Sequence, residues 1–213
     1  MSKARSQVGS MERRFSFRAL IMTICFCLWG TYAAAAESPQ AVIQEGTDQV
    51  LNLLKQYPQN DPARGEHIKA AMEKYFDFES MARLAVGRQW DSLSQEQRQR
   101  FTQEFRDLLF STYLGDIEKY ASEKMNYRTR PLTEGYVIVN TQLNYQGNPV
   151  SLDYFLHQRD AHWKVYDVSI QGVSLVVNYR GQFDTVLLNG SFNDLSTMVR
   201  RETAKTCRLN GNC

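Results

Sequence analysis

Apolar residues recur with a helical period along the first 120 or so positions of the chain. After Pro39, the positions Val42, Val50 and Leu53 share one helical face, and the pattern stops at Pro58. Proline is well tolerated at the start of a helix and ends one when it follows. The pattern therefore predicts a helix that begins at Pro39 and ends before Pro58.

Two more helices are predicted between Pro58 and the tryptophan at position 90. One carries Ile68, Met72 and Phe76 at helical spacing. A short one begins after Asp77, which can cap it, and stops at Gly87.

The longest helix is predicted to begin in the segment "LAVGRQWDSLSQEQRQRF", residues 84–101. Ser94 and Gln97 have the S-x-x-Q spacing of a capping box. Phe101, Phe105 and Leu108 then fall on one face, with arginines and glutamines opposite. The segment thus predicts a break between two helices.

The hydrophobic period changes from 3.6 to 2 after residue 124. The segments "MNYRTRPL", "YVIVNTQLNY", "VSLDYFLHQR" and "WKVYDVSI" predict four strands, and "QGNP" and "DAH" predict the tight turns between the last three. Val139 and Leu143 share one face of the second strand, as Leu152 and Tyr154 share one face of the third. An antiparallel sheet with one apolar face requires a cover.

Two further helices are predicted in "GVSLVVNYRGQFDTVLLNG" and "FNDLSTMVRRETAKTC". The first is apolar around more than half of its circumference, which predicts contact with two layers or with a cavity. Helices, then a meander of strands, then helices predict an α+β fold with helices packed over a twisted antiparallel sheet.

The basic stretch "RRFSFR", the apolar run "ALIMTICFCLWGTY" and "AAAAE" predict a cleaved signal peptide at residues 1–36, with Ala34 and Ala36 before the cleavage point. The alternative is a retained membrane anchor. Removal of five basic residues and Glu12 leaves 20 basic and 22 acidic residues. The exported protein is therefore nearly neutral, which argues against nucleic acid as a partner.

The remaining cysteines, Cys207 and Cys213, close a short loop, "CRLNGNC", at the C-terminal end. In an oxidising compartment this pair predicts a disulfide, whereas a metal site would need more ligands. The predicted organisation is one domain over residues 37–205, followed by a tail over residues 206–213.

Few residues suggest chemistry. The motifs G-x-S-x-G, G-x-G-x-x-G and the P-loop are absent from the sequence, and His157 and His162 with Asp160 make an incomplete metal set. Asp153 and Asp167 lie beside tyrosines in strands, so proton transfer in an NTF2-like enzyme remains an alternative. No catalytic or metal-binding residue is otherwise predicted.

Two segments carry a family resemblance: "LAVGRQWDSLSQEQRQRFTQEFRDLLFSTY" and "VSLDYFLHQRDAHWKVYDVSIQGVSLVVNYRGQF". Both resemble the MlaC family of periplasmic phospholipid-binding proteins, also described as toluene-tolerance auxiliary proteins. The likeness extends from about Pro39 to Lys205, and the most specific part runs from Tyr166 to Arg180.

The resemblance implies an NTF2-like, MlaC-type fold whose apolar cavity holds the acyl chains of a phospholipid, with no enzymatic activity and no cofactor besides this cargo. It implies a monomeric periplasmic carrier that shuttles lipid between an outer-membrane lipoprotein complex and an inner-membrane ABC transporter with an MCE-domain subunit, and so maintains outer-membrane lipid asymmetry. A related carrier of hopanoid-type lipids is the alternative.

Apolar face and family position together select the residues expected to contact lipid. They are Val86, Trp90, Phe101, Phe105, Leu109, Val139, Leu143, Leu152, Tyr154, Tyr166, Val168, Val173, Val176, Tyr179 and Phe183.

Overall fold

The computed structural model describes residues 37–59, 61–120 and 123–210. The predicted signal peptide and Cys213 lie outside the described residues. None of the helices within the described ranges is long and apolar enough to cross a membrane.

Helices occupy both ends of the described chain, as predicted. They are α1 (Pro39–Gln56), α2 (Arg64–Glu73), α3 (Phe78–Val86), a 3₁₀ helix (Gly87–Ser92), α4 (Gln95–Tyr120), α5 (Leu175–Asn189) and α6 (Phe192–Asn210). Helix α6 therefore continues five residues beyond the predicted end of the domain at Lys205. Cys207 lies on this helix and is disulfide-bonded, but its predicted partner is not described and the pairing stays a prediction.

The predicted helix caps are present. The Asp77 carboxylate accepts a hydrogen bond from the Ser80 backbone N–H at 3.0 Å. At the start of α4, the Ser94 N–H donates to the Gln97 side chain at 2.9 Å while the Gln97 N–H donates to the Ser94 hydroxyl at 3.2 Å. This reciprocal pair is the capping box, which fixes where α4 begins.

The strands form one antiparallel sheet in the order β1-β2-β3-β4-β5. Their bounds are β1 Asn126–Thr133, β2 Tyr136–Tyr145, β3 Asn148–Arg159, β4 His162–Ile170 and β5 Val173–Ser174. The two-residue turns at Gln146–Gly147 and Asp160–Ala161 have positive φ at both positions, the geometry that joins tightly paired strands. The α+β prediction is confirmed.

The start of α5 differs from the prediction. Val173 and Ser174 form the short strand β5 instead of a first helical turn, and the Ser174 hydroxyl caps α5 by accepting from the Val177 N–H at 3.0 Å. The reversal is made by Gln171 and Gly172, which both have positive φ. A hydrophobic pattern cannot distinguish this turn from a helix start.

Helices cover one face of the sheet in two layers. Helices α1, α3 and α5 contact the strands directly, while α4 packs on α3 and α6. The segment between α2 and α3 also runs beside β4, where the Asp77 N–H donates to the Val165 carbonyl and the Val165 N–H donates to the Tyr75 carbonyl, each at 2.8 Å. This segment fixes the end of α2 against the edge of the sheet.

An aromatic cluster fills the space between α4 and α5. Phe105 meets Tyr179 and Phe183 edge-on, with ring centroids 5.2 and 5.5 Å apart, and Phe101 meets Phe183 at 5.8 Å. All four side chains are buried. The cluster is packed core, with the edge-to-face geometry that aromatic rings favour.

Gly87 lies where the two segments that carry the family resemblance contact each other. Its φ is +67°, and an added Cβ would lie 3.0 Å from the Arg180 guanidinium on α5. The positive φ favours glycine at the break after α3, and the absence of a Cβ leaves room for the Arg180 guanidinium.

Candidate functional site

An apolar cavity of about 180 Å³ lies between the sheet and the helices that cover it. Its walls come from α1, the end of α2, the start of α3, the second half of α4, and the inner face of β3 and β4. Most side chains around it are aliphatic or aromatic.

Helix α1 forms the outer wall. The lining residues on this helix are Val42, Ile43, Gly46, Thr47, Val50 and Leu51. Gly46 allows close packing here, because a Cβ at this position would lie only 3.1 Å from the Tyr75 ring. A glycine inside a helix costs about 1 kcal/mol relative to alanine, and the contact with Tyr75 explains its presence.

The second half of α4 forms the opposite wall. Its lining residues are Leu109, Phe110, Tyr113, Asp116, Ile117 and Tyr120. They lie after Phe101 and Phe105 along the helix and border the cavity. Helix α4 thus contributes its first half to the core and its second half to the cavity.

The floor comes from the sheet and the start of α5. It consists of Leu152, Tyr154, Val168, Ile170 and Leu175. Cross-strand pairing places Tyr154 opposite Val168 and Leu152 opposite Ile170. Burial raises the pKa of Tyr154 to about 12, so its hydroxyl stays protonated at neutral pH.

The charged groups of the wall are engaged with other residues. The Arg106 guanidinium donates to the Asp107 carboxylate at 3.1 Å and to Glu73. The Asp116 carboxylate accepts from Lys119 at 2.9 Å. The side chains of Arg106 and Asp116 are partly solvent-accessible, so the charges lie at the edge of the apolar space.

The structure places four of the fifteen predicted lipid contacts in the cavity wall: Leu109, Leu152, Tyr154 and Val168. Lipid contact by these four stays a prediction.

The other eleven residues do not line this cavity, and lipid contact by them also stays a prediction. Val86, Trp90, Phe101, Phe105, Val139, Val176, Tyr179 and Phe183 belong to the packed core. Leu143 is buried on the inner face of β2 but does not line the cavity, and Val173 is 58% exposed. Tyr166 packs against Tyr136 and His157 on the outer face of the sheet.

The sequence interpretation missed the wall residues of α1 and most of those on α4. Two features of the sequence pointed to them. Gly46 interrupts an otherwise regular helix, which suggests a close approach at that position. Tyr113, Ile117 and Tyr120 continue the apolar pattern of α4 along a second stripe after the first one ends at Leu108.

Neither acidic candidate for proton transfer lines the cavity. Asp153 lies on the outer side of the sheet and accepts from the Asn140 amide at 2.5 Å. Asp167 is buried and accepts from the Ser174 hydroxyl at 2.5 Å and from the N–H groups of Val168 and Val176 at 2.8 and 3.1 Å. Burial raises the pKa of Asp167 even though these donors oppose the shift. Asp167 therefore holds the start of α5 in place.

This structural role predicts a difference between two variants of Asp167. Asp167→Ala removes the acceptor at the start of α5 and is expected to lower the free energy of unfolding by about 1–2 kcal/mol. Asp167→Asn keeps the acceptor oxygen and avoids burying a charge, so it is expected to be at least as stable as the parent at pH 7. Urea unfolding checks both.

The pH dependence of stability supplies the control. Because the folded-state pKa of Asp167 is raised, the part of the stability that depends on its protonation is fully present below the unfolded value of about 3.9 and is lost as pH rises through the folded value, whereas the hydrogen bonds that it accepts remain. Asp167→Asn is expected to remove this part of the pH profile. Equal stability of the alanine variant and the parent would contradict the structural role.

The two histidines of the predicted incomplete metal set each lie beside a different carboxylate. His157 lies 3.0 Å from the Asp77 carboxylate, and His162 lies 3.5 Å from Glu37. Among the described residues, no group of three or more His, Cys, Asp or Glu side chains could hold a metal ion.

Comparison with known proteins adds three likenesses. The family model for MlaC protein matches residues 44–201. The intermembrane phospholipid transport system binding protein MlaC of Haemophilus influenzae is 21% identical over 210 residues, which are 94% of this chain and 97% of that protein. The toluene tolerance protein ttg2D of Pseudomonas putida is 24% identical over 174 residues, 78% of this chain and 80% of that protein.

A solved structure matches as well. It is a phospholipid-binding protein from Ralstonia solanacearum in complex with a phospholipid, with 27% sequence identity and a TM-score of 0.73. The match covers 80% of this chain and 99% of that chain.

Proposed function

The chain belongs to the MlaC family, and from that premise we propose that it carries one phospholipid at a time, with the acyl chains in the cavity and the headgroup near solvent. The observation that carries the proposal is the apolar cavity between α1, α4 and the sheet. The phospholipid complex of the similar Ralstonia solanacearum protein supports it.

The energetics of lipid transfer explain why such a cavity is useful. A diacyl phospholipid has roughly 30 methylene groups, and exposing each to water costs about 0.8 kcal/mol, on the order of 20 kcal/mol in total. A cavity lined by aliphatic and aromatic side chains replaces the contacts that the chains had in a bilayer. The charged side chains at its edge are paired with other residues of the protein, which limits the strong contacts that would hold the headgroup and oppose release.

The size of the cavity implies that its walls move when cargo enters. Its volume of about 180 Å³ is below the roughly 300–1,000 Å³ of typical small-molecule sites. Helix α1 is the wall most suited to move, because Val50, Leu51 and Leu53 in its second half are only half-buried. The Lys74–Glu45 ion pair that ties α1 to the end of α2 is exposed, and such pairs contribute little.

The cellular route follows from the family and the predicted signal peptide. The protein acts in the periplasm as a monomer, receives lipid from or delivers it to an outer-membrane lipoprotein complex, and exchanges it with an inner-membrane ABC transporter that has an MCE-domain subunit. This traffic maintains outer-membrane lipid asymmetry. The protein is a carrier and not an enzyme, in keeping with the placement of Asp153 and Asp167 away from the cavity.

Mass spectrometry of the purified protein tests the proposal. We expect one diacyl phospholipid per chain in the native spectrum and its release on denaturation, and we expect the emptied protein to reload from phospholipid vesicles. A bound polycyclic lipid would indicate the hopanoid branch instead. A protein that is empty when isolated and cannot be loaded would overturn lipid carriage.

A further inference from the structure

Tyr154 lines the cavity and is half-buried, and its hydroxyl has no hydrogen-bond partner among the described residues. Tyr154 lies in the middle of β3, and its neighbours across the sheet are Val139 and Val168. Both neighbours are apolar and offer the hydroxyl nothing to bind. A polar group enclosed by apolar side chains is unfavourable unless something accepts its hydrogen bond.

Two other tyrosines of the wall have their partners within the protein. The Tyr113 hydroxyl is hydrogen-bonded to Tyr179. The Tyr75 hydroxyl donates to the Gln49 side chain at 2.8 Å. Tyr154, like Tyr120 at the end of α4, has no such partner among the described residues, so its donor remains available to whatever occupies the cavity.

Tyr154 has Tyr127 of β1 as its electrostatic neighbour. The Tyr127 hydroxyl is hydrogen-bonded to Thr47 on α1 and lies 3.5 Å from the Met125 sulfur. The strand register places Tyr127 on β1 and Tyr154 on β3 on the same face of the sheet, and α1 packs against β1 at the seam between them. Thr47 and Met125 also line the cavity beside this seam.

We propose that the Tyr154 hydroxyl donates a hydrogen bond to an ester carbonyl oxygen of a bound diacyl phospholipid. The inference rests on the proposed function and adds to it a residue that distinguishes classes of lipid. Acyl chains carry no acceptor of their own, so the acceptors nearest to them are the two ester carbonyls. A phosphate oxygen is charged, and bringing it under an apolar wall costs far more than bringing in a neutral carbonyl.

A hydrogen bond from Tyr154 to an ester carbonyl would determine how deeply the lipid lies in the cavity and which classes of lipid bind well. The glycerol esters would be drawn beneath the seam between α1 and β1, with the phosphate and the rest of the headgroup outside it. Lipids whose chains are joined through ether bonds, and polycyclic lipids, lack the ester carbonyl. The raised pKa of Tyr154 keeps the hydroxyl a donor throughout the physiological range.

The test compares a diacyl phosphatidylcholine with its dialkyl ether analogue of the same chain length, loaded from vesicles onto the parent and onto Tyr154→Phe. The parent is expected to prefer the ester lipid by about three- to tenfold, the value of one net hydrogen bond. Tyr154→Phe is expected to bind the ether lipid as well as the parent does and to lose the preference. Tyr136→Phe, on the outer face of the sheet, is the matched control and should keep the preference.

The possible outcomes separate this inference from the proposed function. If the parent binds both lipids equally, or if Tyr154→Phe weakens both equally, the ester contact is wrong and lipid carriage stands. If neither lipid loads onto the parent, the proposed function itself fails. The comparison within the parent protein needs no variant, so equal binding of the two lipids overturns the ester contact even if Tyr154→Phe folds poorly.

Discussion

Leu152→Glu is expected to abolish phospholipid retention while the protein stays folded. Leu152 lines the floor of the cavity, is only half-buried, and belongs to neither of the packed core clusters. A carboxylate at this position would face acyl chains that cannot solvate it. We expect a loss in affinity of at least about 100-fold, since an unpaired charge against hydrocarbon costs several kcal/mol.

The control for this variant lies on the other face of the sheet. Gln142→Glu adds the same charge at an exposed position of β2, opposite Ser151, and is expected to retain lipid like the parent. Vesicle loading followed by native mass spectrometry measures both variants, and circular dichroism reports whether each is folded.

Acidification provides a second measurement on Leu152→Glu. Enclosure by apolar groups raises the pKa of a carboxyl group, so lowering the pH is expected to neutralise the introduced group and to restore part of the binding. A folded Leu152→Glu protein that retains lipid at neutral pH would show that the cavity is not the lipid site.

The parts of the fold that sequence predicts well are those determined locally. The capping box of Ser94 and Gln97 requires only two residues at a fixed spacing, and the turn at Asp160–Ala161 only a short polar break between alternating strands. Each pattern specifies its own hydrogen bonds without reference to distant residues. These elements appear in the structure where the sequence predicts them.

The cavity wall is not determined locally, which explains why the sequence pattern does not show which inward-facing residues line it. Periodicity shows that Phe105 and Leu109 both face inward from α4, but not what each of them faces. Phe105 meets Tyr179 and Phe183 on α5, whereas Leu109 borders the cavity. That difference depends on where α1 and α5 cross α4, and a hydrophobic pattern carries no information on crossing positions.

Helix α5 illustrates the same limit. Its broad apolar surface predicts contact with two layers or with a cavity. In the structure it packs against α3, α4, α6 and β4, and only Leu175 at its start reaches the cavity. Val177 and Leu188, which widen the apolar surface of this helix, are exposed.

Phe105→Ala is expected to destabilise the protein strongly, by about 3–5 kcal/mol, which is the usual cost of truncating a buried phenylalanine. Phe105 is completely buried and contacts three other aromatic rings, those of Phe101, Tyr179 and Phe183. A loss of this size is a large share of the 5–15 kcal/mol that stabilises a typical domain. Urea unfolding of the purified variant measures it.

Ile117→Ala, on the same helix, is the matched comparison. Ile117 lines the cavity, is half-buried and belongs to neither core cluster. Its truncation is expected to cost only about 1 kcal/mol in stability while it widens the cavity. The two variants therefore separate the two halves of α4. Loss of Phe105 should mainly reduce stability, and loss of Ile117 should mainly change lipid binding.

If Phe105→Ala instead unfolds like the parent but no longer retains phospholipid, Phe105 contacts the cargo, as the family resemblance implied, and its placement in the core is wrong.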